Sequence, residues 1–222
     1  MISEMLSYDF IQRAFLGGVL VSLCAALLGV SLVLKRYSMI GDGLSHVSFG
    51  ALSIAIACGI APLKFAIPVV IVAAFLLLRL AENGKMRSDA AIAMVSASSL
   101  AIGVIVTSLT TGLSTDIYSY MFGSILAMSK DDVVVSGLLS VIVIIMFVAC
   151  YHKIFAVTFD ENFSKATGVK VGMYNTLISI FTAITIVVGI KMMGAMLISS
   201  LIVFPSLTSM RIFKSFKSVT IC

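Results

Sequence analysis

The chain of 222 residues is 60% hydrophobic and 11% charged, with a formal charge of +5 and a mean hydropathy of +1.18. Soluble domains carry about a quarter charged residues, so the composition excludes a water-soluble globule and points to an all-α integral membrane protein with several spans. A nucleic-acid binder needs a basic face on a soluble domain, and none is visible.

The amino-terminal MISEMLSYDFIQRAF carries acidic residues where a signal peptide has a basic region. The first hydrophobic segment is therefore expected to stay in the chain. A helical span needs about 20 apolar residues, and seven stretches answer to this, at 11–34, 41–60, 65–81, 90–109, 133–151, 173–190 and 193–210. Two longer connections remain, 110–132 and 152–172. Lys35, Arg36, Arg79, Lys85, Arg87, Lys153, Lys165, Lys170, Arg211, Lys214 and Lys217 fall on one side of the resulting topology. Only Arg13, Lys64, Lys130 and Lys191 fall on the other. The excess of cations marks the cytoplasmic side, which places the N-terminus outside and the C-terminus inside. Four cysteines (Cys24, Cys58, Cys150, Cys222) form no CxxC pair and read as small apolar or inert residues.

Between the first two spans, Lys35 to Gly50 reads KRYSMIGDGLSHVSFG. If the second span is helical, Asp42 and His46 stand at i and i+4, on one face and roughly 6 Å apart along the axis. A carboxylate and an imidazole in an apolar helix are costly, and by default they mark a path or a site. Both are ligand types for divalent transition metals. Three readings stay open: transient metal coordination, a proton relay, and a polar pair that holds two helices together. Glycines 41, 43 and 50 around the pair, and alanines 93, 97 and 101 at intervals of four, are expected at close helix contacts. Pro205 is expected to bend the last span, with neighbouring Ser and Thr side chains satisfying a freed carbonyl.

The external connection is apolar and aromatic over Ile117–Met128. It reads either as a re-entrant segment or as an amphipathic interfacial helix anchored by Tyr118 and Tyr120. The cytoplasmic connection contains TFDENFSKATGVKVG. Asp160 and Glu161 followed by Phe163, Ala166 and Gly168 suggest a short amphipathic helix stopped at a glycine. Such an element offers either a docking surface for another protein or a solvated turn. His152, beside Lys153 at a span end, reads as interfacial. The sequence has no GxxxxGK[ST], HExxH or GxSxG motif, which disfavours an ATP-binding or enzymatic role for the chain itself.

KRYSMIGDGLSHVSFGAL, YSYMFGSILAMSKDDV, VTFDENFSKATGV and VVGIKMMGAMLISSLIVFPSLTSMRI together resemble, in order, four landmarks of the permease subunits of bacterial ABC importers for zinc, manganese and iron. The resemblance implies a single transmembrane permease domain over 1–222, with 152–172 as its cytoplasmic coupling loop, in the bacterial cytoplasmic membrane. It implies two permease copies forming the pathway, an extracytoplasmic metal-binding protein and a separate cytoplasmic ABC ATPase. The ATPase would dock on Phe159, Asp160, Glu161, Phe163, Ala166 and Gly168. Asp42 and His46 would contact the Zn²⁺, Mn²⁺ or Fe²⁺ ion in transit, with no permanently bound cofactor. A coordinating His46 is neutral, so acidic pH is expected to weaken transport. Family members continue past the proline-containing segment for a further span, whereas this chain ends at KSFKSVTIC; the expectation is about seven spans without the family's final one. Two other functions stay open: a proton- or ion-coupled secondary carrier, and a non-transporting remnant that binds partners.

Overall fold

A computed structural model describes residues 8–35, 37, 39–82, 88–110, 123 and 130–222. Hydrocarbon offers backbone groups no water, so a chain this apolar must satisfy them within helices. The described residues form ten: α1 (Asp9–Leu34), α2 (Ile40–Ala57), α3 (Pro62–Glu82), α4 (Ser88–Leu109), α5 (Lys130–Ala149), α6 (Tyr151–Phe159), α7 (Glu161–Ala166), α8 (Val171–Met193), α9 (Ala195–Ile212) and α10 (Phe216–Ile221). Each of the seven expected spans coincides with a helix. Five helices are long and apolar enough to cross a bilayer, and the pair Val133–Ala149 and Tyr151–Phe159, bent by 72°, makes a sixth if counted as one span. Helix α3 offers a shorter apolar stretch, Pro62–Leu77. The segments 111–122 and 124–129, and with them the two readings of Ile117–Met128, lie outside the described residues.

Helix α2 is the centre of the packing, with α3, α4, α8 and α9 against it. Leu44, Phe49, Leu52 and Ala55 are buried along it. Two of its serines keep their hydroxyls on the helix's own backbone, Ser45 donating to Asp42 O at 2.7 Å and Ser53 to Phe49 O at 2.9 Å, while the buried Ser48 hydroxyl has no hydrogen-bond partner among the described residues. Contact with α4 is close because small residues meet there. A Cβ on Gly50 would come within 2.8 Å of Ser99 O, and one on Gly103 within 2.7 Å of the Phe49 ring. The alanine stripe does not take part as expected: Ala93, Ala97 and Ala101 are exposed, and α4 meets α2 through the neighbouring face of Ile92, Ser99 and Gly103.

Helix α1 packs on α5, α8 and α9. At its crossing with α9, a Cβ on Gly29 would lie 2.1 Å from Ile202 O and 2.4 Å from Ser206 Oγ. Helix α9 runs through Pro205 as one element, with Ser206 donating to Ile202 O at 3.1 Å. Helices α8 and α9 are separated only by Gly194, at φ 86°, a conformation that favours glycine. Gly123 is set against this break, its absent Cβ falling 2.3 Å from Met193 C.

The stretch expected as a loop, 152–172, is largely helical. The chain bends at Cys150 and continues as α6, which buries Ile154 and Val157. On its outer side Phe155 and Phe159 stack with Phe216 of α10 (ring centroids 5.0 and 6.2 Å). Phe216 and Val219 also pack on Val30 near the end of α1. The carboxyl ends of α1, α6 and α9 thus gather at one end of the molecule, where the sequence concentrates its cations.

Overpacking a tight crossing costs about 1–3 kcal/mol. Gly29→Ala should therefore lower the thermal midpoint of the purified protein measurably. Gly137→Ala, whose new Cβ meets only Leu20 Cδ1 at 3.9 Å, should leave it nearly unchanged. Equal midpoints for the two variants would contradict the α1–α9 packing described.

Candidate functional site

The turn from α1 to α2 is tight. The Tyr37 N–H donates to Leu32 O at 2.8 Å and the Ile40 N–H to Tyr37 O at 2.9 Å. Asp42 then falls in the first turn of α2, where free N–H groups and the helix dipole favour a carboxylate. His46 follows one turn later, its Nε2 3.7 Å from Asp42 Oδ2. Leu44, Ser45 and Val47 around them are buried, yet the Asp42 side chain is 53% exposed and that of His46 28%. Neighbouring helices enclose α2 on its other faces and leave this polar pair on its open one. The 3.7 Å gap is too long for a hydrogen bond. Two donors on one metal ion, with bonds of about 2.0–2.2 Å, lie roughly 3–3.5 Å apart, so a small side-chain rotation suits both to one ion. Among the described residues no third His, Cys, Asp or Glu joins them, and water, carbonyls or another chain would have to complete a shell.

The second expected site is the bend after α6. Asp160 caps α7, its Oδ1 accepting from the Phe163 N–H at 2.9 Å. The helix stops where Val169 N–H reaches Ser164 O at 2.9 Å around Gly168 at φ 82°, a left-handed glycine stop of the kind that ends helices. Phe159, Asp160, Phe163, Ala166 and Gly168 are exposed, with Lys165 beside them, and the two phenylalanines make much of this surface apolar. Glu161 differs from them. Its carboxylate turns inward, accepting from Lys35 Nζ at 2.8 Å and from Asn175 Nδ2 at 3.2 Å. Lys35 Nζ also donates to Asn175 Oδ1. Sequence reasoning treated Lys35 only as a topology cation and passed over Asn175; the signal available was an asparagine just over one turn into α8, a helix with no other amide side chain. His152 is exposed, its ring edge-on to Tyr151 at 5.6 Å.

Partial burial would raise the Glu161 carboxyl, but the Lys35 hydrogen bond and charge, helped by Asn175 and Lys165, outweigh it and hold the group below the usual carboxylate range. A group depressed in the folded state stabilises it above the unfolded value, and that contribution is lost as pH falls through the folded value. Acid titration of thermal stability should show this loss in the native chain and a flatter profile in Glu161→Gln. Superimposable profiles would contradict the tie.

The family model described as the ABC 3 transport family matches residues 7–222. A probable metal transport system membrane protein of Treponema pallidum is 35% identical over 209 residues, which is 94% of this chain and 78% of the relative. The high-affinity zinc uptake system membrane protein ZnuB of Buchnera aphidicola is 31% identical, with 91% of this chain and 78% of the relative covered. Among solved structures, PsaBC from Streptococcus pneumoniae in complex with Fab superposes with a TM-score of 0.85 at 26% identity, covering all of this chain and 81% of that one. The chain belongs to the ABC 3 transport family, and with it to the membrane permeases of metal-ion ABC transporters.

Proposed function

We propose that this chain is the permease subunit of an ATP-driven importer that carries a divalent transition-metal ion into the cytoplasm by alternating access. The observation that carries the reading is the Asp42–His46 pair: one oxygen and one nitrogen donor 3.7 Å apart, within a small rotation of sharing one ion, on the open face of an otherwise enclosed helix. Two donors hold an ion weakly, as a conduit requires. A second copy set against the same face would supply two more donors and complete a pathway shell, and the permease acts as a dimer in this reading. Relatives bear the names of zinc and of manganese systems, and an oxygen–imidazole donor set accepts Zn²⁺, Mn²⁺ and Fe²⁺ alike, with affinity order favouring zinc.

The power stroke comes from a separate ATPase. The exposed Phe159 and Phe163, with Asp160 and Ala166, form the surface on which that subunit docks, on the cation-rich, cytoplasmic side. An extracytoplasmic binding protein delivers the ion to the opposite face. The N-terminus then lies outside the cell and the C-terminus inside.

In cells stripped of their own importers and supplied with this chain, its ATPase and its binding protein, elemental analysis should show accumulation of one of the three metals. Asp42→Asn and His46→Ala should each cut it about ten-fold or more at matched expression, since even groups that only orient a metal ligand cost about that much when removed. Variants that accumulate metal as the native chain does would remove the pair from the pathway.

A further inference from the structure

Lys35 stands at the end of α1 with its side chain 5% exposed. An ammonium group taken so far from water has to be paired and hydrogen-bonded. It donates to Glu161 Oε1 at 2.8 Å and to Asn175 Oδ1, and Asn175 Nδ2 donates to the same carboxylate oxygen at 3.2 Å. The ring joins the end of α1, more than a hundred positions away in sequence, to the first residue of α7 and the first turns of α8. A cation that served only the membrane topology would extend into water or headgroups. This one is folded inward onto a specific partner.

Helix α7 is a six-residue element in which Ser164 alone is buried, while Asn162, Phe163, Lys165 and Ala166 face outward. A helix that short does not hold its shape or direction by its own hydrogen bonds. On the far side of the tie, α1 passes through the tight Tyr37 turn into α2, whose first turn bears Asp42. The ring therefore lies between the outward docking surface and the helix that carries the candidate metal pair. Because the lysine end is buried, solvent screens the attraction less than at an exposed surface pair.

We infer that Lys35 is a positioning residue, which ties the docking helix α7 through Glu161 and Asn175 to the α1–α2 hairpin and delivers ATPase-driven displacement of α7 to the helix bearing Asp42 and His46. The inference rests on the docking reading proposed above. It assigns mechanical coupling, rather than ATPase binding, to Glu161 and Lys35.

The test uses the complete transporter, permease with its ATPase and binding protein, in proteoliposomes. Metal uptake and ATP hydrolysis are measured together for Lys35→Met, Glu161→Gln, the double variant and Phe163→Ala. Coupling free energies of the usual size predict that each single variant lowers metal moved per ATP by about five-fold or more, with the ATPase still bound and hydrolysing. The double variant should be no worse than either single one, because both remove the same link. A structural loss alone would lower uptake and hydrolysis together and leave their ratio unmoved. If Lys35→Met does not fold, Glu161→Gln keeps the test, since it alters a partly exposed side chain without changing its volume. An unchanged ratio in Glu161→Gln, or losses that multiply in the double variant, would overturn the inference while leaving ATPase docking intact. Phe163→Ala should release the ATPase; if it retains both the ATPase and full uptake, the docking reading falls, and the tie with it.

Discussion

Enclosure of α2 is the constraint on which the rest of the molecule depends. Helices in lipid gain nothing from hiding one apolar surface against another, so close association has to come from shape and from small residues at the contacts. Gly43, Gly50 and Gly103 supply that closeness between α2 and α4, and α3, α8 and α9 cover further faces of α2. A helix held on so many sides is fixed in rotation. Its one open face is therefore defined, and Asp42 and His46 are on it. Had α2 been loosely packed, a carboxylate in its first turn could turn toward headgroups and water; held as it is, the pair presents both donors in one direction.

The same helix is joined to the opposite functional surface by a short physical route. Helix α1 ends at Lys35, turns within a few residues into α2, and is fastened through Lys35 to Glu161 of α7. The aromatic contacts of Phe155 and Phe159 with Phe216 hold α6 and α10 at the same end. Apolar packing there is adaptable, whereas the hydrogen bonds among Lys35, Glu161 and Asn175 are directional. Polar networks of this kind specify position where apolar contacts alone allow sliding.

Much of the fold was legible in the sequence because hydrocarbon leaves few choices. A long apolar run in a bilayer has to be a helix, and every apolar stretch of that length is one. The Asp42–His46 pair was legible for the same reason, since two ionisable groups one helical turn apart stand out against an apolar background. Contacts between elements were less legible. Lys35 and Glu161 are 126 positions apart, and nothing local to either shows that they meet. The alanine stripe of α4 misled because a helix that is apolar all round carries no directional signal; the close contacts belong to Gly103 and Ser99 instead. Helix α6 was missed because His152 and Lys153 look like a span end, while the backbone in fact bends by 72° at Cys150 and continues.

The central claim is that Asp42 and His46 touch the ion in transit. X-ray absorption at the metal edge, on the assembled transporter loaded with zinc, reads the ligands directly. The account predicts an imidazole nitrogen shell at about 2.0–2.1 Å with oxygen neighbours, lost in His46→Ala and altered in Asp42→Asn. A metal shell that is the same in the native chain and in both variants would place the ion elsewhere and contradict it.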